Sequence, residues 1–212
     1  MPRAAVLVQG VNSANYIKEA LLEGGLDLHD YDKILEPDTE EIFDRHIFSK
    51  LGFWDWAGDV IQFYNNLSRR QAACRLVRES ILELQAQGYD VDIIAHSLGC
   101  QIALCCAPQN KESMLIVNKV VFMGSPMGII FIPMAWRILS HAKRYSKNFK
   151  TRSLDYLWSK NDWMCRSFNR RIQKVIDQVT SIPEPIESTS KHEVQEYTRD
   201  YMKQSKSIIA MH

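Results

Sequence analysis

A serine stands inside Ile93-Ile94-Ala95-His96-Ser97-Leu98-Gly99, between a β-branched apolar stretch and an apolar run that continues to Ala107. A hydroxyl attacks poorly at its ordinary acidity, so serine chemistry needs a base within hydrogen-bond reach and a third group to orient that base. The local pattern predicts a strand, a sharp turn and a helix. Small residues two before and two after the serine, Ala95 and Gly99, let such a turn close and push the hydroxyl away from the sheet. The same turn sets the Leu98 N–H at the start of a helix, where developing negative charge is favoured. The competing reading is a serine in an ordinary connection between strand and helix.

Ala95-His96-Ser97-Leu98-Gly99 resembles the nucleophile elbow of α/β-hydrolase lipases and esterases, several small bacterial members of which also carry alanine first. Gly124-Ser125-Pro126-Met127-Gly128 resembles the segment after the next strand in many of those lipases. Val6-Leu7-Val8-Gln9-Gly10 resembles the strand that ends in their His-Gly pair, with Gln9 in the histidine's place. The likeness runs from about Ala4 to the final helix. It implies a single-domain α/β-hydrolase fold over residues 1–212, a mainly parallel sheet flanked by helices, and a triad in the order serine, acid, histidine.

That order singles out the remaining members. Ser159-Lys160-Asn161-Asp162-Trp163 follows a predicted strand at Leu154–Trp158, and Asp162 is the expected acid. Asp155, inside the strand, is its alternative, and Asp162 also suits the N-cap of a helix starting at Trp163. Of the six histidines, His29 and His46 precede the serine, His141 precedes the acid and His212 is terminal. His96 adjoins Ser97 and is expected to point elsewhere, as a packing or supporting residue. His192 follows Asp162 and opens a helix, and is the expected base. The implied oxyanion donors are the N–H groups of Leu98 and Val11. Gln9, Asn12, Met127 and Ile130 are candidate substrate contacts, Asn12 and Ser13 serving equally as helix-start residues. The resemblance implies cleavage of a small-molecule or lipid-like ester with an apolar acyl group through an acyl-enzyme, with no metal or organic cofactor. An amidase, thioesterase or acyltransferase would use the same triad, and a non-catalytic hydrolase-fold binding protein is the rival from another class.

The elements that must position these residues are legible as an alternation. Ala4–Val8 is a short, continuous apolar run of the kind buried on both faces of a parallel sheet, Val91–Ala95 reads as a second buried strand and Val117–Met123 as a third. Ser68–Gln87 reads as a helix, with Ser68 and Gln71 as a capping box, Gly88 at its C-terminus, and Ala73, Leu76, Val77, Ser80, Ile81 and Leu84 facing inward. Leu98–Ala107 reads as an apolar helix stopped by Pro108, and Trp163–Val179 as another helix. The last begins near Glu193 with Val194, Tyr197, Tyr201 and Ile208 on one face. Strands alternating with helices predict an α/β fold.

The 212 residues suit one domain, and 46% hydrophobic with 24% charged residues is globular composition. Lys and Arg number 26 against 25 Asp and Glu, a net charge of +1 that argues against a whole-chain nucleic-acid binder. The balance hides an acidic stretch, Glu23–Asp59, and a basic one, Arg137–Arg152. Five cysteines without regular spacing make neither a disulfide framework nor a zinc site, and point to a reducing, cytoplasmic setting. Met1–Gln9 lacks the apolar length of a signal peptide, and Met127–Leu139 falls short of a bilayer span. Residues 127–150 form a candidate lid or pocket wall whose basic end would touch a membrane surface transiently; a core helix with a solvated basic face is the alternative. The aromatic stretch Phe53–Val60 lines the site's mouth or packs as a surface loop.

Overall fold

The computed structural model describes residues 1–10, 17–39, 66–107, 114–125, 146–162 and 186–209. Among these residues six strands form one parallel sheet: β1 (Arg3–Val8), β2 (Lys33–Leu35), β3 (Asp90–His96), β4 (Leu115–Met123), β5 (Phe149–Ser159) and β6 (Ile186–Ser188), in the order β2-β1-β3-β4-β5-β6. Four helices are described: α1 (Ile17–Glu23), α2 (Leu67–Ala86), α3 (Leu98–Cys105) and α4 (Val194–Ile209). The chain is thus an α/β protein with a parallel sheet between helices.

Side chains of a strand alternate between faces, and here both faces are covered. Val6, Val8, Ile93, Ala95, Val120 and Phe122 pack with α2 and α3. Ala5, Leu7, Ile94, Val121, Met123 and Leu157 pack with α1 and α4. Covering both faces explains the continuous apolar runs Ala4–Val8, Ile93–Ala95 and Val120–Met123 within the central strands. The strand order reverses about β1, so the carboxyl ends of β1 and β3 flank the switch point at which sheets of this type place their sites.

Several elements differ from the sequence expectation. Helix α2 begins one residue earlier, at Leu67, because Asn66 is its N-cap: the Asn66 Oδ1 accepts the Arg69 N–H at 3.1 Å, and no capping box forms at Ser68. Gly88, at φ +86°, supplies the expected left-handed residue after it. Cys74 and Arg70 join the buried face in place of Leu76 and Ser80, which are half-buried. Strand β5 starts five residues before Leu154, since its first half alternates buried Phe149 and Thr151 with exposed Lys150 and Arg152 and carries no continuous apolar signal. The end of the proposed 127–150 lid is therefore a 3-10 turn, Ser146–Asn148, and the opening of β5. Its remainder lies outside the described residues, as do Phe53–Val60 and the helix expected at 163–179.

Cys74, Cys100, Cys105 and Cys106 are thiols buried in the core, none of them in a disulfide among the described residues. Among the described residues, no helix is long and apolar enough to cross a membrane.

Candidate active site

The carboxyl ends of four strands and the loop before α4 converge on Ser97. The turn after β3 holds Ser97 at φ +54°, ψ −129°, a conformation that costs an L-residue about 1–3 kcal/mol and persists only when its surroundings enforce it. The surroundings do so through close backbone approach. The Ser97 N–H donates to the Met123 carbonyl at 2.9 Å. A Cβ on Gly99 would run into the Val8 carbonyl and lie 2.8 Å from the Gln9 carbonyl carbon; one on Gly10 would lie 2.8 Å from the Ser97 Cβ and 3.0 Å from the Leu98 nitrogen. Both glycines let β1 and the start of α3 touch. Gly99→Ala is expected to cost about 1–3 kcal/mol in urea unfolding, because the atoms it meets are backbone and cannot swing aside. Unchanged stability would mean that α3 shifts off β1 freely.

The Ser97 hydroxyl meets the His192 Nε2 at 2.9 Å, and the His192 Nδ1 meets the Asp162 Oδ2 at 2.7 Å. Asp162 is fully buried, whereas the His192 side chain keeps 20% of its surface exposed. An ionised carboxylate accepts only, so the Nδ1–H donates to it and Nε2 faces the serine with its lone pair. The same carboxylate oxygen accepts the Tyr197 hydroxyl at 2.6 Å. Gly124, at φ +58°, lies beneath this pair: a Cβ there would stand 3.1 Å from the Asp162 Oδ2 and 3.2 Å from the His192 Nδ1.

His192 also has an unusual backbone, φ +113°. Ser190 organises its loop: the buried Oγ accepts the N–H groups of His192 and Glu193, both at 3.0 Å, and donates to the Glu193 carbonyl at 3.1 Å. Asp200, one turn into α4, accepts from the Ser188 hydroxyl and from both the N–H and hydroxyl of Thr189. Burial opposes its charge, but these donors with Lys203 hold the Asp200 carboxyl below its ordinary range.

The other candidates fall elsewhere. Asp155 is engaged by other groups, bonded to the Tyr201 hydroxyl at 2.7 Å and to the Lys119 ammonium at 2.8 Å. Leu98 opens α3, where its N–H is one of the donors without an intrahelical partner. The Gln9 amide oxygen accepts the Ile17 N–H at 3.2 Å, which ties the side chain to the start of α1. Gln9 also lines a cavity of about 200 Å³ with Leu7, Ile17, Glu36 and Thr39; burial and the neighbouring Glu19 raise the Glu36 carboxyl. Val11, Asn12, Met127 and Ile130 lie outside the described residues.

Sequence reasoning missed Tyr197 as a partner of the acid, and missed Ser190 and Asp200 as organisers of the histidine loop. Tyr197 left one usable signal, a tyrosine on the apolar face of the helix after the histidine, since a buried phenol requires an acceptor. Among the described residues no cluster of His, Cys, Asp and Glu could hold a metal ion.

No family model matches the chain, and no curated protein matches it significantly. Among solved structures it is similar to an α/β-hydrolase enzyme from a sediment metagenome of the Mar Chica lagoon, Morocco, at 14% identity and a TM-score of 0.45 over 100% of this chain and 92% of the other.

Proposed function

We propose that the chain is a serine hydrolase of the α/β-hydrolase type that cleaves carboxylic esters with Ser97, His192 and Asp162 as its triad. The observation that carries the reading is the unbroken relay from buried Asp162 through His192 to a serine held in a strained turn. His192 takes the Ser97 proton on Nε2 as the Oγ bonds to the ester carbonyl carbon, and Asp162 stabilises the imidazolium. The oxyanion that forms is met by the Leu98 N–H, with Val11 proposed as the second donor. Collapse breaks the bond to the leaving alkoxide, which departs with the proton from His192 and leaves an acyl group on Ser97. Water then repeats the sequence in reverse: His192 removes its proton, the hydroxyl adds to the acyl carbon, and Ser97 leaves with that proton as the carboxylic acid is released.

The substrate class rests on residues 127–139, whose Ile129, Ile130, Phe131 and Ile132 would meet an apolar acyl chain.

A fluorophosphonate probe is expected to label the wild-type chain on the peptide that contains Ser97, and mass spectrometry would locate the adduct. Absence of label, or equal labelling of Ser97→Ala, would sink the reading and leave a non-catalytic binding protein. With a series of nitrophenyl esters, turnover is expected to persist as the acyl chain lengthens. Activity confined to acetyl esters contradicts an apolar acyl pocket.

A further inference from the structure

We infer that His96, the residue before the proposed nucleophile, is a positioning residue that clamps the loop carrying His192. The inference rests on the proposed role of His192 and deepens it. The His96 Nε2 lies 2.9 Å from the His192 carbonyl oxygen, and the two rings pack with centroids 4.8 Å apart. A carbonyl only accepts, so the His96 proton must sit on Nε2 and donate. His192 is then held by both of its backbone polar groups, its N–H on Ser190 and its carbonyl on His96. A residue at φ +113° needs that double restraint, because its own backbone preference pulls it elsewhere.

The rest of the His96 ring argues that this bond is its purpose. The side chain is buried, and among the described residues Nδ1 meets no hydrogen-bond partner. A bare nitrogen in the core is unfavourable, and an aliphatic side chain would fill the space without it. Burial first, then the adjacent His192 charge, pushes the His96 pKa down to about 3. The clamp therefore remains a neutral donor while His192 takes up and releases a proton beside it. Because His96 ends β3 and Ser97 follows it, one strand end fixes both the nucleophile and the distance to its base.

The test compares wild type with His96→Leu, which removes the donor, and His96→Gln, whose amide nitrogen can replace it. Fluorophosphonate labelling and kcat are expected to fall about 100-fold in H96L, as for a base displaced by about an ångström. KM is expected to stay within about twofold, because substrate contacts are untouched. H96Q is expected to recover most of the loss. If H96L unfolds, His96→Asn, too short to reach the carbonyl, takes its place. Rates in H96L near wild type, or an H96Q variant as slow as H96L, overturn the clamp. If wild type itself fails to label, the hydrolase reading falls, and nitrogen-15 spectra of the histidines decide the clamp separately. A His96 protonated on Nε2 that does not titrate above pH 4 supports it, and one protonated on Nδ1 overturns it.

Discussion

His192→Ala is expected to lower kcat on an activated ester by about 10⁵- to 10⁶-fold, the loss seen when a base that works as one unit with its nucleophile is removed. The size follows from the absence of a substitute among the described residues. Among these, His96 is the other imidazole beside Ser97, but its Nε2 is engaged with the His192 carbonyl and its pKa of about 3 makes it a poor base. What would remain is the preorganised turn and the Leu98 N–H proposed as an oxyanion donor, which would stabilise charge without moving a proton. The fold is expected to survive, since His192 belongs to neither apolar cluster of the sheet and the loop keeps its Ser190 and Asp200 bonds. Steady-state kinetics with a parallel thermal melt would check this. A loss below tenfold in a folded variant would show that another group deprotonates Ser97.

Asp162→Asn is expected to cost about ten-thousand-fold in kcat at nearly unchanged shape. A neutral amide cannot stabilise the imidazolium. With its NH2 turned toward Nδ1, it also holds the ring in the tautomer whose Nε2 carries a proton and cannot accept one from Ser97. The Tyr197 hydroxyl does not compensate: at 2.6 Å from the Asp162 Oδ2 it supports a carboxylate, and it stays a neutral donor beside the amide. The companion variant Asp155→Asn is expected to keep turnover within a few-fold while losing some stability, because its carboxylate serves Lys119 and Tyr201. Kinetics of the two variants side by side discriminate, and an inactive Asp155→Asn with an active Asp162→Asn would move the acid to β5.

The order of elements was readable wherever both sheet faces are covered. Ile93–Ala95 and Val120–Met123 are continuous apolar runs because helices lie above and below them, and the register of their strands carries Ser97 and Gly124 to one edge. The edge strands were not readable. Lys33–Leu35 and Ile186–Ser188 have three residues each, too few for a period, and β5 conceals its first half behind alternating Lys150 and Arg152. The Asn66 cap was missed because a two-residue coincidence at Ser68 and Gln71 looked like the stronger signal, whereas the geometry at the helix start selects the residue whose backbone is still extended.

The site divides in the same way. Ser97 is fixed by its neighbours in sequence: Ala95 and Gly99 make the sharp turn sterically possible, and an apolar strand and helix on either side leave no other place for it. That much is local, and the sequence by itself determined it. The contact of His192 with Asp162 and not with Asp155, the union of Tyr197 with Asp162, and the His96 bond to the His192 carbonyl were decided only by the tertiary structure. Each joins residues far apart along the chain, and which of two carboxylates meets an imidazole depends on strand register and on where the last helix packs. Those are set by the burial of whole faces, a sum over many side chains that no short motif contains.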